Sequence, residues 1–536
     1  MDPHSGYYAQ LKTSGQACQH RGPDATREEL LWKNQVHFTF HRLAIVDRRS
    51  CGMQPFHYNI DGYNGVSMCN GEIYNHVVLR DRYGFQLQSD SDSEIIMPLL
   101  QAVGPAQACR MMDGVFAFVA LDLEKGRVTV GRDPFGVRSL YYSQDSAGNL
   151  AIASEMKSLT PIGGTISSFP PGTYKQFRHT SNPSGKEGGR WREIASERYY
   201  PYYYHSLPPS LCDRPTVVGN IRSLLENAVR KRLMGDRPLG CLLSGGLDSS
   251  IIAALLTQQL RQAGNSEPLQ TFSIGFEASP DLIHARLVAD HIGSRHHEYV
   301  VTEDMLFDAI PHTIQQIESY DITTVRAATP MYELCRYIKR ETEATVIFSG
   351  EGSDEASGSY LYFHNAPDEQ QFQRECERLL RDMHMFDVLR CDKSSAGAGL
   401  EVRVPFLDQD FLHYYMSIPP VMKQPAPNPY GVSMEKPLLR EAFSDLLPIE
   451  VVWRAKDGMS DGISSVQRPW YEVINSRISM RRAGSQPREA DYFRQLFCEY
   501  YPGRETILPY YWLPRWSGAT LEPSGRCVEK KNISKI

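Results

Sequence analysis

The segment Leu242–Ser250 constrains this chain more than any other part of its sequence. An apolar run ends there in a turn of serines and glycines, and a second apolar run begins at Ile251. This pattern predicts a strand, a tight loop and a helix. Glycines let a backbone fold closely around an anion because they tolerate positive φ, and the free N–H groups at the start of a helix attract phosphate. We therefore expect a phosphate-binding loop; the alternative is an ordinary turn between a strand and a helix.

The chemistry of this loop indicates a nucleotide. The hydroxyls of Ser244, Ser249 and Ser250 can donate to phosphate oxygens, and Asp248 makes sense among phosphates if it holds a magnesium ion. The loop is not a Walker-type phosphate loop, because no lysine followed by serine or threonine comes after the glycines. It resembles the SGGxDS loop of the PP-loop ATP pyrophosphatases. That resemblance implies cleavage of ATP between the α- and β-phosphates.

Composition excludes several other classes of protein. A chain of 536 residues is too long for one core and predicts about two to four domains. The net charge of −6 gives no basic excess for nucleic acid, and no stretch of about 18 apolar residues predicts a membrane span. The start has no signal-peptide pattern, and the eleven cysteines lack CxxC spacing. We therefore expect reduced thiols, a cytosolic location, and no nucleic-acid or membrane partner.

The pattern of the chain changes near its middle. Short β-type runs separated by turn residues fill positions 36–176, with room for one or two helices. Positions 178–215 are rich in Ser, Pro, Gly and Tyr and predict a linker. Strands then alternate with helices, which predicts a doubly wound parallel sheet. The expected domains are 1–177 and 216–516, followed by a disordered tail at 517–536.

A second loop of glycines and acids, Ser349–Glu355, follows another predicted strand. Ligands of doubly wound sheets bind beyond the carboxyl ends of the strands, so this loop is expected to meet Leu242–Ser250. Asp354 would then give magnesium a second carboxylate, and Glu351 is a candidate base or substrate contact. The alternative is a solvated acidic turn. Lys456 is a candidate to neutralise departing pyrophosphate, although a lone lysine is usually solvated surface.

Seven motifs, in this order, resemble those of the glutamine-dependent asparagine synthetases, and the similarity runs over nearly the whole chain, from His20 to about Trp516. The motifs are His20–Asp24, His41–Asp47, Asn70–Asn75, Leu243–Ser250, Tyr320–Thr324, Ser349–Glu355 and Arg403–Asp408. The resemblance implies an α/β protein with an N-terminal αββα Ntn-hydrolase-type glutaminase domain. A doubly wound PP-loop synthetase domain with a helical C-terminal part would follow, joined to the first by an ammonia tunnel.

The implied activity is ATP-dependent synthesis of L-asparagine from L-aspartate through β-aspartyl-AMP, with release of AMP and pyrophosphate. Nitrogen comes from L-glutamine in this family. Arg42 would bind the glutamine carboxylate, and Asp92 its ammonium. Asn70 and Gly71 would form the oxyanion hole of acyl transfer. The full set of implied glutamine-binding residues is Arg42, Leu43, Ala44, Ile45, Val46, Asn70, Gly71, Glu72 and Asp92.

In the synthetase half, the resemblance implies that Asp248 and Asp354 hold Mg²⁺. Glu351 resembles the residue needed to form and aminate β-aspartyl-AMP, and it is suited to take a proton from ammonia. The implied ATP contacts are Leu242, Ser244, Gly245, Gly246, Asp248, Ser249, Ile274, Ser349, Gly350 and Lys456.

One feature departs from the family. Mature chains of the family begin with a cysteine whose thiol attacks glutamine. This sequence begins Met1-Asp2, and the first cysteine in it is Cys18. Either the sequence reflects an alternative start or an incomplete gene model, or the chain makes asparagine only from free ammonia. The retained glutamine pocket favours the first account. As written, the chain is expected to hydrolyse glutamine poorly or not at all.

Two other functions stay open at this point. A related PP-loop ligase with an inactive glutaminase domain, such as a β-lactam synthetase, would also lack the cysteine. A non-catalytic sensor of nucleotide or glutamine is disfavoured because Asp248, Asp354 and Glu351 are all present. The sequence leaves the oligomeric state open, with a homodimer as one expectation.

Overall fold

A computed structural model describes residues 6–60, 63–180, 189–465, 467–481, 488–517 and 522–524. The chain separates into two compact units. The first extends to Pro201 and includes Met234–Arg237; the second contains Tyr202–Leu233 and the described residues from Pro238 onward. Both units mix helices and strands, which confirms the predicted α/β class.

The first unit is built around a six-stranded antiparallel sheet. The strands of the whole unit are β1 (Ala25–Leu31), β2 (Val36–Arg42), β3 (Phe56–Ile60), β4 (Tyr63–Ile73), β5 (Gly114–Asp122), β6 (Arg127–Arg132), β7 (Tyr141–Gln144), β8 (Leu150–Ala153), β9 (Thr165–Ser168), β10 (Thr173–Thr180) and β11 (Arg190–Arg198). Its helices are α1 (Gly6–Gln16), α2 (His76–Tyr83), α3 (Ile96–Val103), α4 (Pro105–Met111) and α5 (Met156–Leu159). The large sheet has the order β11-β10-β6-β5-β4-β3, and β8-β7-β9 and β1-β2 form smaller sheets.

The faces of the large sheet are covered differently. On one face, Phe116 and Phe118 of β5 pack with Leu99 of α3 and other residues of α2–α4. On the other face, Val119 packs with Phe169 and residues of β2, β7 and β8. Helices α1 and α5 pack against each other, and α5 packs against β7 and β8. The layers therefore run helix, sheet, sheet, helix, as predicted.

Strand β11 corrects one expectation. The sequence predicts a linker over 178–215, whereas 190–198 form an edge strand that pairs antiparallel with β10. Only Trp191 of this strand is buried, and most of the other side chains are exposed and charged or small. The strand is stabilised by backbone pairing rather than by apolar burial, so its sequence carries no alternating hydrophobic pattern.

The second unit contains a parallel sheet and many helices. Its strands are β12 (Leu239–Leu242), β13 (Gln270–Gly275), β14 (Arg295–Val300), β15 (Val346–Phe348), β16 (Glu401–Arg403), β17 (Ala426–Pro427) and β18 (Ser433–Met434). Its helices are α6 (Arg214–Lys231), α7 (Leu247–Gln262), α8 (Pro280–Ile292), α9 (Glu303–Ile317), α10 (Ile322–Glu341), α11 (Ser353–Ser357), α12 (Glu369–Asp382), α13 (Asp387–Gly397), α14 (Gln409–Ser417), α15 (Pro420–Lys423), α16 (Pro437–Phe443), α17 (Ile449–Val452), α18 (Met459–Gly462), α19 (Trp470–Arg481) and α20 (Glu489–Tyr500).

The parallel sheet has the order β14-β13-β12-β15-β16. Strand β12 lies between β13 and β15 and pairs parallel with both. The chain order therefore reverses at β12, and the carboxyl ends of β12 and β15 lie side by side, where such sheets bind ligands. This topology confirms the predicted doubly wound sheet, and the many helices after β16 confirm the helical C-terminal part.

No helix in the described ranges is long and apolar enough to cross a membrane. The cysteines that the structure describes, from Cys18 to Cys498, are all free thiols. Of the predicted tail, 518–521 and 525–536 lie outside the described residues, so that expectation stays a prediction.

Truncation of Ile347 tests the core of the parallel sheet. This side chain on β15 is 1% exposed. Ile347→Ala should lower the free energy of unfolding by about 2–5 kcal/mol through lost burial and a cavity. The control Ile449→Ala, at a side chain 52% exposed, should change it by about 0.5 kcal/mol or less. The measurement is calorimetric unfolding of both variants, and equal shifts would contradict the assigned core.

Candidate active site

The loop after β12 has the shape predicted from its glycines and serines. Gly245 has φ +69, and a Cβ at this position would lie 2.3 Å from the backbone nitrogen of Ala285. Ser249 Oγ accepts a hydrogen bond from Ser244 N at 3.2 Å and lies 3.1 Å from Ser244 Oγ. Helix α7 then begins at Leu247. The backbone therefore turns directly from strand into helix with hydroxyls at the turn.

The loop after β15 lies against the first loop. A Cβ on Gly350 would lie 2.9 Å from both the Asp248 Cβ and the Ser249 nitrogen, so only glycine allows this approach. Ser353 Oγ donates to Asp248 Oδ1 at 2.8 Å. The two acidic, glycine-containing segments thus meet, as the sequence predicts for neighbouring strand ends.

Two lysines pair with the carboxylates of these loops. Lys436 Nζ donates to Asp248 Oδ2 and to Asp354 Oδ1, each at 2.5 Å. Lys456 Nζ lies 2.6 Å from Asp354 Oδ2. Burial raises the pKa of Asp354, but Lys436 and Lys456 outweigh that effect and hold the pKa well below its usual range. Asp354 therefore stays ionised.

The carboxylate pair suits a magnesium ion that arrives with a nucleotide. Asp248 and Asp354 converge on one cationic nitrogen, so two hard oxygen donors already face a common point. Among the residues that the structure describes, no group of three or more His, Cys, Asp or Glu side chains could hold a metal. Mg²⁺ in nucleotide sites usually takes one or two carboxylates and completes its shell with phosphate oxygens and water.

Glu351 is held by an arginine. Arg390 Nη2 donates to both carboxylate oxygens of Glu351, at 3.0 and 2.9 Å, while Arg390 Nη1 donates to Asp387. Burial raises the pKa of Glu351; Arg390 opposes this rise, and Asp387 and Asp354 add to it, so the pKa lies above its ordinary value. A raised pKa suits a group that exchanges protons near neutral pH.

These groups surround one cavity of about 200 Å³ in the second unit. Nine of the ten residues implied to bind ATP line it, as do Asp354 and Glu351; Gly245 lies at the turn behind it. The lining also includes residues that sequence analysis missed, which are Asp387, Arg390, Lys436, Tyr360 and Trp512. They lie outside the glycine-rich motifs, and no local pattern distinguishes them from structural residues.

In the first unit, part of the implied glutamine site comes together at the end of β4. Gly71 has φ +135, and a Cβ there would lie 2.0 Å from the Val115 carbonyl oxygen. Asn70 Nδ2 donates to Ser154 Oγ at 3.4 Å. Asp92 Oδ2 accepts from Ile73 N at 2.6 Å, so this buried carboxylate lies beside the strand that carries Asn70 and Gly71.

Arg42 is tied to a neighbouring loop. Its guanidinium donates to the carbonyl oxygens of Asp47 and Arg49, the latter at 2.9 Å. Asp47 Oδ2 in turn accepts from Asp90 N at 2.9 Å, which links this loop to the segment that carries Asp92. Within the implied pocket wall of residues 43–46, Ala44 and Ile45 are buried.

Cys18 lacks the environment of a nucleophile. Its sulfur lies 2.9 Å from Ser158 Oγ. Burial, followed by the charge of Glu155, raises the pKa of the Cys18 thiol to about 12. A thiol with this pKa remains protonated near neutral pH, and only the thiolate is an effective nucleophile.

The matches to known proteins agree with this architecture. A family model described as asparagine synthase matches residues 220–372 and 365–506, and one described as a glutamine amidotransferase domain matches residues 1–182. A glutamine-hydrolysing asparagine synthetase from Bos taurus is 44% identical over 539 residues, covering 95% of this chain and 94% of the relative. The chain belongs to the asparagine synthetase family.

Other relatives carry the same name. The proteins from Homo sapiens and Gallus gallus are 43% and 42% identical over 545 and 543 residues, and each match covers 95% of this chain and 94% of the relative. Membership of the asparagine synthetase family makes this chain an ATP-using ligase of asparagine biosynthesis with a glutamine amidotransferase domain.

A pair of glycine variants tests the geometry of the phosphate loop. Gly245→Ala should lower the free energy of unfolding by about 2 kcal/mol or more, since positive φ alone costs an L-residue roughly 1–2 kcal/mol and the new Cβ meets backbone. Gly246→Ala should change it by about 0.5 kcal/mol or less, because the nearest atom to its Cβ is Ser244 Oγ at 3.3 Å. Thermal unfolding without ligands measures both, and equal losses would contradict this loop geometry.

Proposed function

We propose that the second unit joins ammonia to the β-carboxylate of L-aspartate through β-aspartyl-AMP, releasing AMP and pyrophosphate. The observation that carries this proposal is the meeting of two loops at adjacent parallel strand ends, with a convergent carboxylate pair and a lysine at their contact. Within one cavity, this arrangement offers groups that can bind a polyphosphate, hold its metal ion and stabilise pyrophosphate as it leaves.

The cavity has a polar region for the phosphates of the nucleotide and an apolar region for its adenosine. Its phosphates fit the serine hydroxyls and the N-terminus of α7, where free N–H groups and the helix dipole favour negative charge. Its adenosine fits the apolar lining of the cavity, which includes Leu242, Ile274 and Met331. We infer that the α-phosphate lies between these regions, near Glu351.

Asp248 and Asp354 are the residues that would hold a magnesium ion brought by ATP. Such an ion would supply charge neutralisation to the phosphate oxygens. Lys456 and Lys436 already lie beside these carboxylates. Both ammonium groups are therefore placed to stabilise the charge that develops on the departing pyrophosphate.

The reaction needs two displacements. An oxygen of the aspartate β-carboxylate bonds to the α-phosphorus as the bond to the β-phosphate oxygen breaks. Ammonia then attacks the acyl carbon, AMP leaves with the bridging oxygen, and the nitrogen gives up a proton. Glu351, with its raised pKa, is the proposed acceptor of that proton.

Glutamine is the proposed natural nitrogen source, and its site is the first unit. Asp92 binds the backbone at the end of β4, the strand that carries Gly71, and Arg42 is connected to the Asp92 segment through Asp47 and Asp90. We infer that Cys18 does not serve as the nucleophile, because its thiol remains protonated. The free thiols of the described residues fit the cytosol.

The products test the proposed function. With ATP, Mg²⁺, L-aspartate and ammonia, the chain should form AMP, pyrophosphate and asparagine in equal amounts. Ammonia is the chosen nitrogen source because it requires only the second unit. Product analysis by chromatography checks the stoichiometry, with aspartate omitted as the control. Formation of ADP and phosphate in place of AMP and pyrophosphate would refute the proposal.

The carboxylate pair provides a second test. Asp248→Asn and Asp354→Asn should each slow synthesis by about 100-fold or more, because the β- and γ-phosphates lose a ligand of their neutralising ion. Each variant should also need more Mg²⁺ to reach half of its maximal nucleotide binding. The control is Asp410→Asn, at a side chain 77% exposed. Near-normal turnover of either variant at saturating Mg²⁺ would show that its carboxylate is not a ligand.

A further inference from the structure

The contact between Glu351 and Arg390 conflicts with a base function for Glu351. One guanidinium nitrogen donates to both carboxylate oxygens, at 3.0 and 2.9 Å. Charge-assisted hydrogen bonds of this kind stabilise the ionised carboxylate and occupy one lone pair on each of its oxygens, so they weaken it as a base. Glu351 therefore becomes a stronger base once Arg390 has taken another partner.

The Nε–H group of Arg390 is available as a hydrogen-bond donor for such a partner. It lines the cavity, is 8% exposed, and its Nε has no hydrogen-bond partner among the residues that the structure describes. Guanidinium groups bind carboxylates through two parallel N–H donors, often with Nε as one of them. A carboxylate that enters the cavity can thus use Nε together with the nitrogen that now binds Glu351.

The charges around Arg390 also indicate an exchange. Glu351, Glu355 and Asp387 are carboxyl groups of one neighbourhood, and Arg390 is the cation that binds two of them. A free anion would meet repulsion in this setting, whereas a zwitterionic amino acid brings an ammonium group together with its carboxylate.

We propose that Arg390 is the receptor for the α-carboxylate of the amino-acid substrate, and that binding of this carboxylate releases Glu351 to act as the base. The inference rests on the proposed function, since it needs aspartate as the substrate. The β-carboxylate bonds to phosphorus and is consumed, whereas the α-carboxylate is unchanged in both displacements. Only the α-carboxylate can therefore hold Arg390 until ammonia attacks.

The consequence is a base that is freed by its own substrate. Before aspartate binds, Arg390 forms ion pairs with both Glu351 and Asp387. When aspartate binds, one carboxylate replaces another on the same guanidinium, so the number of paired charges is unchanged. No covalent bond forms or breaks in this exchange.

Substitution of Arg390 tests the receptor. In the presence of Mg²⁺ and the non-cleavable analogue α,β-methylene ATP, Arg390→Met should weaken L-aspartate binding by about 100-fold or more, as expected when one partner of a buried charge pair is removed. Binding of the ATP analogue should stay within about threefold. β-Alanine, which is aspartate without its α-carboxylate, should lose no more than about threefold on the same substitution.

A matched control and a second variant keep this test decisive. The control is Arg378→Met. Arg378 also donates two hydrogen bonds to one carboxylate, that of Glu375, at 2.9 and 2.6 Å, but it lies outside the cavity lining. This substitution should leave aspartate binding unchanged. If Arg390→Met fails to fold, Arg390→Lys replaces it, with weakening of about tenfold or more expected because lysine cannot bind a carboxylate in the same two-donor geometry.

Glu351→Gln separates this exchange from a merely structural role. A neutral amide competes poorly for Arg390, so this variant should bind aspartate more tightly than the unmodified chain by about three- to tenfold, while it loses synthesis. Weaker aspartate binding by Glu351→Gln would overturn the inference. Equal losses of aspartate and nucleotide binding in the Arg390 variants would overturn it as well.

The outcomes distinguish this inference from the proposed function. If the unmodified chain forms no AMP when aspartate is supplied, the proposed function fails. If it forms AMP and asparagine but Arg390 variants bind aspartate normally, only the assignment of Arg390 fails.

Discussion

The parallel pairing of β12 with β15 is the constraint on which the site depends. Its register, with Cys241 opposite Phe348, brings the loops that follow the two strands to the same edge of the sheet. The absence of a Cβ on Gly350 then lets the second loop touch the backbone of the first. Asp248 and Asp354 share one lysine only because of this approach. Backbone geometry thus sets the spacing of the groups on which the proposed chemistry depends.

The pairing of buried carboxylates with cationic side chains is the second constraint on the site. Buried carboxylates cost free energy unless they are paired, so each acid of the cavity that would meet a ligand already has a cationic partner. Lys436 pairs with the two loop aspartates, and Arg390 pairs with Glu351. Under the proposed function, Mg²⁺ would take the place of a lysine on the aspartates, the phosphates would pair with the ammonium groups, and aspartate would replace Glu351 on Arg390. That last exchange leaves the Glu351 carboxylate without its guanidinium partner, which is the state in which it is the proposed base.

Sequence analysis predicted the elements whose residues carry a local pattern. The phosphate loop, the acidic loop at Ser349–Glu355 and the parallel strands between them are fixed by glycines, serines and β-branched runs, and the structure has them in adjacent positions. Strand β11 was missed because it gains stability from backbone pairing at a sheet edge. Arg390 and Lys436 were missed for a different reason. Arg390 lies 39 residues along the chain from Glu351 and Lys436 lies 188 residues from Asp248, so tertiary folding brings each to its partner in the cavity.

The most direct test of the account is the fate of oxygen from the β-carboxylate of aspartate. When this carboxylate is labelled with ¹⁸O, an acyl-adenylate requires that one labelled oxygen leave with AMP, since it bridges carbon and phosphorus before ammonia attacks. Mass spectrometry of the products after synthesis with ammonia reads this transfer. We predict one ¹⁸O in the phosphate of AMP and none in pyrophosphate. Label in inorganic phosphate, or AMP without label, would contradict the adenylate on which the whole account rests.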